Sequence, residues 1–190
     1  MHVARVWNLA CGLLAAITVA LLVAGVSLPE IARADGTACA SAASCGDARA
    51  ASRQGRRVAR KLHRLQNAER RRHGLRRLPS SRKLARAARR HVRDMIRKHY
   101  FGHVSRSNRD VVDRVAATGY NRGGRFAAQE NLYWWSPRRS AAQVLRAWMA
   151  SAPHRANILG PNWDHFGLAV VMRSPFRRGG ITVVGVFGRR

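Results

Sequence analysis

Apolar residues recur along this chain in two rhythms, and the change from one to the other orders the whole molecule. From Arg56 onward, Val58, Leu62 and Leu65 return at helical spacing between Arg and Lys positions, and Gly74 is placed to cap the end of that helix. After Pro79, Ser80 or Ser81 can cap a second helix. Leu84, Ala88, His91 or Val92, and Met95 line one of its faces, and its polar face is almost all arginine. Asn108 can cap a short third helix carrying Val112, Val115 and Ala116, which Gly119 ends; the stretch through Gly123 and Gly124 reads as a loop. Ser136-Pro137 opens a fourth helix with Pro137 at its first position and Ala141, Val144 or Leu145, and Trp148 as its buried stripe, and Pro153 terminates it. The rhythm then changes. Phe166 to Met172 and Ile181 to Phe187 are rich in β-branched residues and are separated by Ser174, Pro175, Gly179 and Gly180, which predicts a hairpin. Helices first and strands last predict an α+β layered domain rather than a parallel doubly wound sheet, and no internal repeat is visible.

The residues before this domain read differently. Arg5 precedes an apolar stretch from Leu9 to Val26, and Ala32-Arg33-Ala34 supplies a small-x-small cleavage site, so residues 1–34 are expected to be a secretory signal peptide with the mature chain starting at Asp35. A retained membrane anchor is the alternative, because the apolar stretch approaches the roughly 20 residues a spanning helix needs. Residues 35–55 are rich in Ala, Ser and Gly with few large apolar groups, and are expected to be a flexible linker to a domain at 56–190. Beyond the leader the only cysteines are Cys39 and Cys45; in an oxidising compartment they can close a small disulfide loop or remain two free thiols.

Charge changes the picture of partners. The chain of 190 residues carries 36 Lys and Arg against 9 Asp and Glu, a formal net charge of +27, and Lys61, Lys83 and Lys98 are its lysines. Outside a cell the partners such a field attracts are anionic cell-wall polymers, a membrane surface or extracellular nucleic acid, bound in a salt-dependent way. Solvated helix faces account for much of the same charge, and specific nucleic-acid recognition is not expected.

Three segments place polar, titratable groups in apolar or turn-forming surroundings: Tyr100-Phe101-Gly102-His103, Gln129-Glu130-Asn131-Leu132, and Pro153-His154-Arg155-Ala156-Asn157-Ile158-Leu159. Two imidazoles and one carboxylate, His103, His154 and Glu130, can bind zinc or another divalent cation if the fold brings them together. They can equally form a hydrogen-bonded network that supports loops. No His-Glu-x-x-His is present, and no Gly-x-Ser-x-Gly elbow. A nucleophilic triad would have to use Ser151 with His154 as base and Glu130 as orienter, although a serine in a helix's terminal turn is usually a local cap. Asn131 and Asn157 are expected to bond neighbouring backbone or shape the cavity, and Arg155 to be an ion-pair partner. Trp134, Trp135 and Trp163 are expected in the core or, if exposed beside arginines, as a sugar-binding or lipid-facing shelf.

These segments occur in an order that resembles the CAP superfamily of cysteine-rich secretory, antigen 5 and pathogenesis-related proteins, and its bacterial secreted members. Asn67-Ala68-Glu69-Arg70, Gly74-Leu75, Leu84-Ala85, Asp113-Arg114, Gly119-Tyr120, Glu130-Asn131, Trp148, the His154 to Leu159 block and Phe187-Gly188 carry the likeness. It implies a three-layer α-β-α sandwich with a central cavity where relatives place two histidines and two acidic residues. His103, Glu130 and His154 match three of those positions; at the fourth, three residues after Trp148, stands Ser151 rather than a glutamate. The expected role is an extracellular binding module, secreted or held at the cell envelope, whose ligand is a protein or a small molecule and whose cavity can take a divalent metal. Catalysis is not assumed. The rival roles are a secreted hydrolase using the same cavity and a basic adhesin for envelope polymer or nucleic acid.

Overall fold

A computed structural model describes residues 42–121, 124–177 and 179–190, so the expected leader at 1–34, the first part of the expected linker and Cys39 lie outside the described residues. Cys45 is disulfide-bonded. The first described element corrects one expectation. Helix α1 runs Ala42–Arg72, so residues 42–55 are helical rather than a flexible linker. The stretch lacks large apolar groups but holds Ala48, Ala50 and Ala51, and alanine is the best helix former; a helix already nucleated around Leu62 extends through it one hydrogen bond per residue. Tertiary contact adds to this, since Ala51 packs against the core. Gly55 is buried where a Cβ would stand 2.6 Å from the Val170 carbonyl oxygen, so the helix lies directly on a strand there. At the far end Gly74 adopts φ 68°, where glycine is the residue with no steric cost.

Helix α2, Arg82–Arg97, follows as expected, with Ser81 as N-cap accepting from the Leu84 amide and with both His91 and Val92 buried. Helix α3, Val111–Ala116, is capped by Asp110 in a reciprocal box with Asp113, not by Asn108, which sits two residues earlier at φ 53°. The expected stripe is corrected as well: Val115 and Arg114 are buried, while Val112 is 40% exposed. Helix α4, Ala141–Ala150, buries Ala141, Val144, Leu145 and Trp148, but it starts at the Ser140 capping box rather than at Pro137. Pro153 does not end a helix; it lies in the first turn of a further one, α5, Ala152–Leu159, where its missing N–H has no helical partner to lose.

Strand β1, Ala127–Trp135, is not visible in the alternation, because Gln129, Glu130 and Asn131 sit at its centre and it is covered on both faces. Strands β2, His165–Val171, and β3, Ile181–Arg189, form the predicted hairpin, with Val171 opposite Thr182. The sheet order is β1-β3-β2, all antiparallel. Alternation along β3 sorts the core into two layers. Ile181, Val183 and Phe187 pack with Leu62, Val144 and Trp148 of α1 and α4. Val184 and Val186 pack with Leu84, Ala88 and Val92 of α2. Gly167 lets α2 sit on β2, since a Cβ there would collide with the Ala85 amide nitrogen. The result is an α+β domain with the sheet between two helical layers.

Candidate functional site

The site grows out of β1 at the sheet edge. Successive residues of a strand face opposite layers, so Glu130, opposite Val186, faces α2 and α3, and Asn131, opposite Gly185, faces α4 and α5. The Glu130 side chain is only 2% exposed. Its Oε1 accepts from Arg114 Nη2 at 2.8 Å and from His103 Nδ1 at 3.0 Å. Arg114 is itself buried and reaches the loop as well, donating to the Arg109 carbonyl at 2.6 Å and to the His103 carbonyl at 2.9 Å. One guanidinium therefore fixes the His103 loop to α3 and to the strand. His91 backs the group: its Nε2 bonds the Gly102 carbonyl at 2.9 Å and stands 3.8 Å from Glu130 Oε1. Burial holds the His91 pKa below its usual value, against the pull of Glu130, so at neutral pH it is a neutral donor to Gly102 rather than an ion-pair partner.

His103 is the exposed member, with 59% of its side chain open to solvent. With Nδ1–H directed at Glu130, its Nε2 is left as an acceptor. Across β1, Asn131 Nδ2 donates to the His154 carbonyl at 2.9 Å, and Asn157 Nδ2 donates to Asn131 Oδ1 at 2.9 Å. Trp163 Nε1 donates to the Asn157 carbonyl at 3.0 Å. This chain of bonds sets α5 against the strand and so sets His154. Burial lowers the His154 pKa, and His103 lowers it further, which puts the two imidazoles in electrostatic reach of each other.

The candidates separate clearly. The fold brings His103 and Glu130 into contact, and it ties His154 to the opposite face of β1 through its carbonyl, which accepts from Asn131. Among the described residues Ser151 makes no side-chain hydrogen bond to His154 or Glu130; it is the junction between α4 and α5. No group of three or more His, Cys, Asp or Glu side chains among them is arranged to hold a metal ion. Glu130 Oε2 has no partner but is sealed from solvent, and Oε1 is taken by Arg114 and His103, so the donor set does not suit a divalent cation. Arg155 bonds the Met149 carbonyl at 3.2 Å rather than a carboxylate. Trp135 is 44% exposed with the Arg139 guanidinium 4.8 Å over its ring, and Trp134 is wedged between Phe101 and Phe176.

Residues 63–187 match the model of the cysteine-rich secretory protein family, CAP. The chain belongs to the CAP family. Over 111 residues it is 35% identical to the uncharacterized protein YkwD of Bacillus subtilis strain 168, a stretch that covers 58% of this chain and 41% of that protein. The chain thus spans about two-fifths of that relative's length. Its fold is similar to an extracellular protein containing an SCP domain from Bacillus anthracis, with TM-score 0.60 and 23% identity over 72% of this chain and 41% of the other. It is also similar to an outer surface protein of Borrelia burgdorferi, with TM-score 0.60 and 17% identity over 69% and 91% of the two chains. In this CAP domain the expected α+β layers are present. The residues that sequence reasoning did not assign to the site are Arg114 and His91. One arginine among so many carries no signal, and His91 falls on an apolar stripe where a core role is the usual one. Only the Asp113-Arg114 pair, part of the family likeness, marks the place.

Proposed function

We propose that this CAP domain is an extracellular binding module whose ligand meets the chain at the exposed His103, with His154 as a second contact. The observation that supports this is the Arg114–Glu130 pair. A buried guanidinium already answers the carboxylate's charge and shares its Oε1 with His103, so Glu130 itself is committed to orienting the histidine rather than open to water or a cation. What remains facing solvent is an oriented imidazole with a second, partly buried imidazole near it, a pair suited to hydrogen-bonding a ligand. Export is supported by the leader-like start of the chain. The net charge of +27 supplies a general attraction to anionic polymers of the envelope.

A second reading has one observation in its favour. His103 held by Glu130 at 3.0 Å is the base-and-orienter half of a hydrolytic site, in which Nε2 would take a proton from water as the water attacks a carbonyl. Screening the full chain against a peptide and ester library, beside a folded His103→Ala variant, separates the two. The binding reading expects identical background rates in both proteins; turnover that disappears with His103 would replace it with the hydrolase.

A further inference from the structure

The C-terminal half of α2, the turn at 105–109 and α3 enclose a groove of about 430 Å³ that reaches His91 and Arg114 at its base but is lined by neither His103 nor His154. Arg90, Arg93 and Arg97 reach it from one face of α2, since residues three and four apart share a helix face. Asp94 lies among them and is the one carboxylate lining the groove. Its charge is already answered: Tyr100 Oη donates to it at 2.8 Å, Lys98 Nζ stands at 3.0 Å and Arg97 Nη2 at 3.1 Å. Burial works to raise the Asp94 pKa, but those three bonds outweigh it and hold the carboxyl below its usual value. Arg90, Arg93 and Arg109 have no carboxylate partner among the described residues.

The opposite wall is a rigid turn. Ser105 N donates to the Arg109 carbonyl at 2.9 Å, Asn108 N to the Ser105 carbonyl at 2.9 Å, and Arg109 N to Ser105 Oγ at 3.0 Å. Ser107 Oγ lies 3.0 Å from Ser105 Oγ, and both serines line the groove. From below, Arg114 Nη1 grips the Arg109 carbonyl. The wall carrying Arg109 and the hydroxyls is therefore held in place before any ligand arrives, which lowers the ordering cost of binding.

We propose that this groove binds the phosphoryl groups of a linear polyanion, with Arg90, Arg93 and Arg109 on the phosphoryl oxygens and Ser107 as an added donor. Planar guanidinium groups pair bidentately with phosphate oxygens, and three of them line this groove, whose one carboxylate, Asp94, is already held by Tyr100, Lys98 and Arg97. Concavity decides between sources of the phosphoryl group. A strand can lie in a groove that a flat bilayer cannot enter. The proposal assigns to one groove what the net charge would spread over the whole surface.

The test is calorimetric titration of the full chain with a short inorganic polyphosphate at physiological salt. The groove variant is Arg90→Gln, Arg93→Gln, Arg109→Gln; the control, Arg57→Gln, Arg60→Gln, Arg64→Gln, removes the same charge from exposed positions on α1. All six side chains are exposed, so circular dichroism and melting should match the wild type in both variants. The groove variant is expected to bind at least tenfold more weakly and the control less than twofold more weakly. Equal weakening in both would leave only the general field, and overturns the site. So does a groove variant within twofold of wild type, or no binding by wild type. On phosphatidylglycerol vesicles the two variants are expected to behave alike; a loss confined to the groove variant would assign the phosphoryl group to lipid and overturn the linear polymer. Neither arm touches His103 or His154, so the groove can fail while binding at those histidines stands.

Discussion

Arg70 and Arg114 are both buried arginines, and the molecule uses them in opposite ways. Arg70 donates from Nε to the Arg76 carbonyl at 2.9 Å and from Nη1 to the Ile158 and Gly160 carbonyls at 2.6 and 2.8 Å, with no carboxylate in contact. Ile158 lies in the last turn of α5 and Gly160 caps it, so this guanidinium satisfies carbonyls that the helix leaves open and sits at the negative end of its dipole. Arg114 also takes two carbonyls, but it adds Glu130 and, through Glu130, orients His103. Backbone carbonyls can thus hold a buried guanidinium, although Arg70 Nη2 is left buried without a partner. Where a carboxylate is added, the addition serves the exposed histidine rather than the fold.

That difference can be broken experimentally. The largest effect is expected from Arg70→Ala, which strands three carbonyls at about 1–3 kcal/mol each and should destabilise the domain by about 4 kcal/mol in urea unfolding. A loss below about 1 kcal/mol would mean that water replaces the guanidinium and that the clamp is not structural. Arg114→Met should cost somewhat less, about 3 kcal/mol, because it leaves Glu130 buried and unpaired. Adding Glu130→Gln should restore about 1–2 kcal/mol of that, a coupling read from the double-mutant cycle. No second-site carboxylate change can rescue Arg70→Ala, so strictly additive costs at Arg114 and Glu130 would erase the contrast.

The smallest expected effect is on acid stability. His63 bonds the Leu78 carbonyl at 3.1 Å and stacks on Phe166; His91 stands 3.8 Å from Glu130. Burial is the main cause holding both pKa values below the ordinary 6.5. The unfolded chain therefore takes up protons that the folded chain refuses as pH falls through about 6.5, so stability drops below that point and is flat above it. Thermal melts from pH 7.5 to 5 should show the fall, and replacing either histidine with Asn should make it shallower. A melting temperature constant across that range would show that neither ring is held neutral by the fold.

The helical stripes at Leu62, Leu84 and Trp148 were legible from periodicity because each helix buries one face and leaves the other polar, and the β2–β3 hairpin from β-branched runs broken by Ser, Pro and Gly. The CAP likeness was legible from short motifs in order rather than from periodicity, and those motifs also pointed to the contact between His103 and Glu130. Strand β1 was not legible, because an edge strand with Gln, Glu and Asn at its centre is held by tertiary partners on both faces rather than by its own pattern. The same holds for residues 42–55, where packing of Ala51 and Gly55 extends a helix that composition left open. The site's electrostatics were decided only in three dimensions. Which of so many arginines enters the interior depends on which carbonyls and which carboxylate lie within about 3 Å of it, and no sequence spacing records that for Arg114 and Glu130, which belong to different elements.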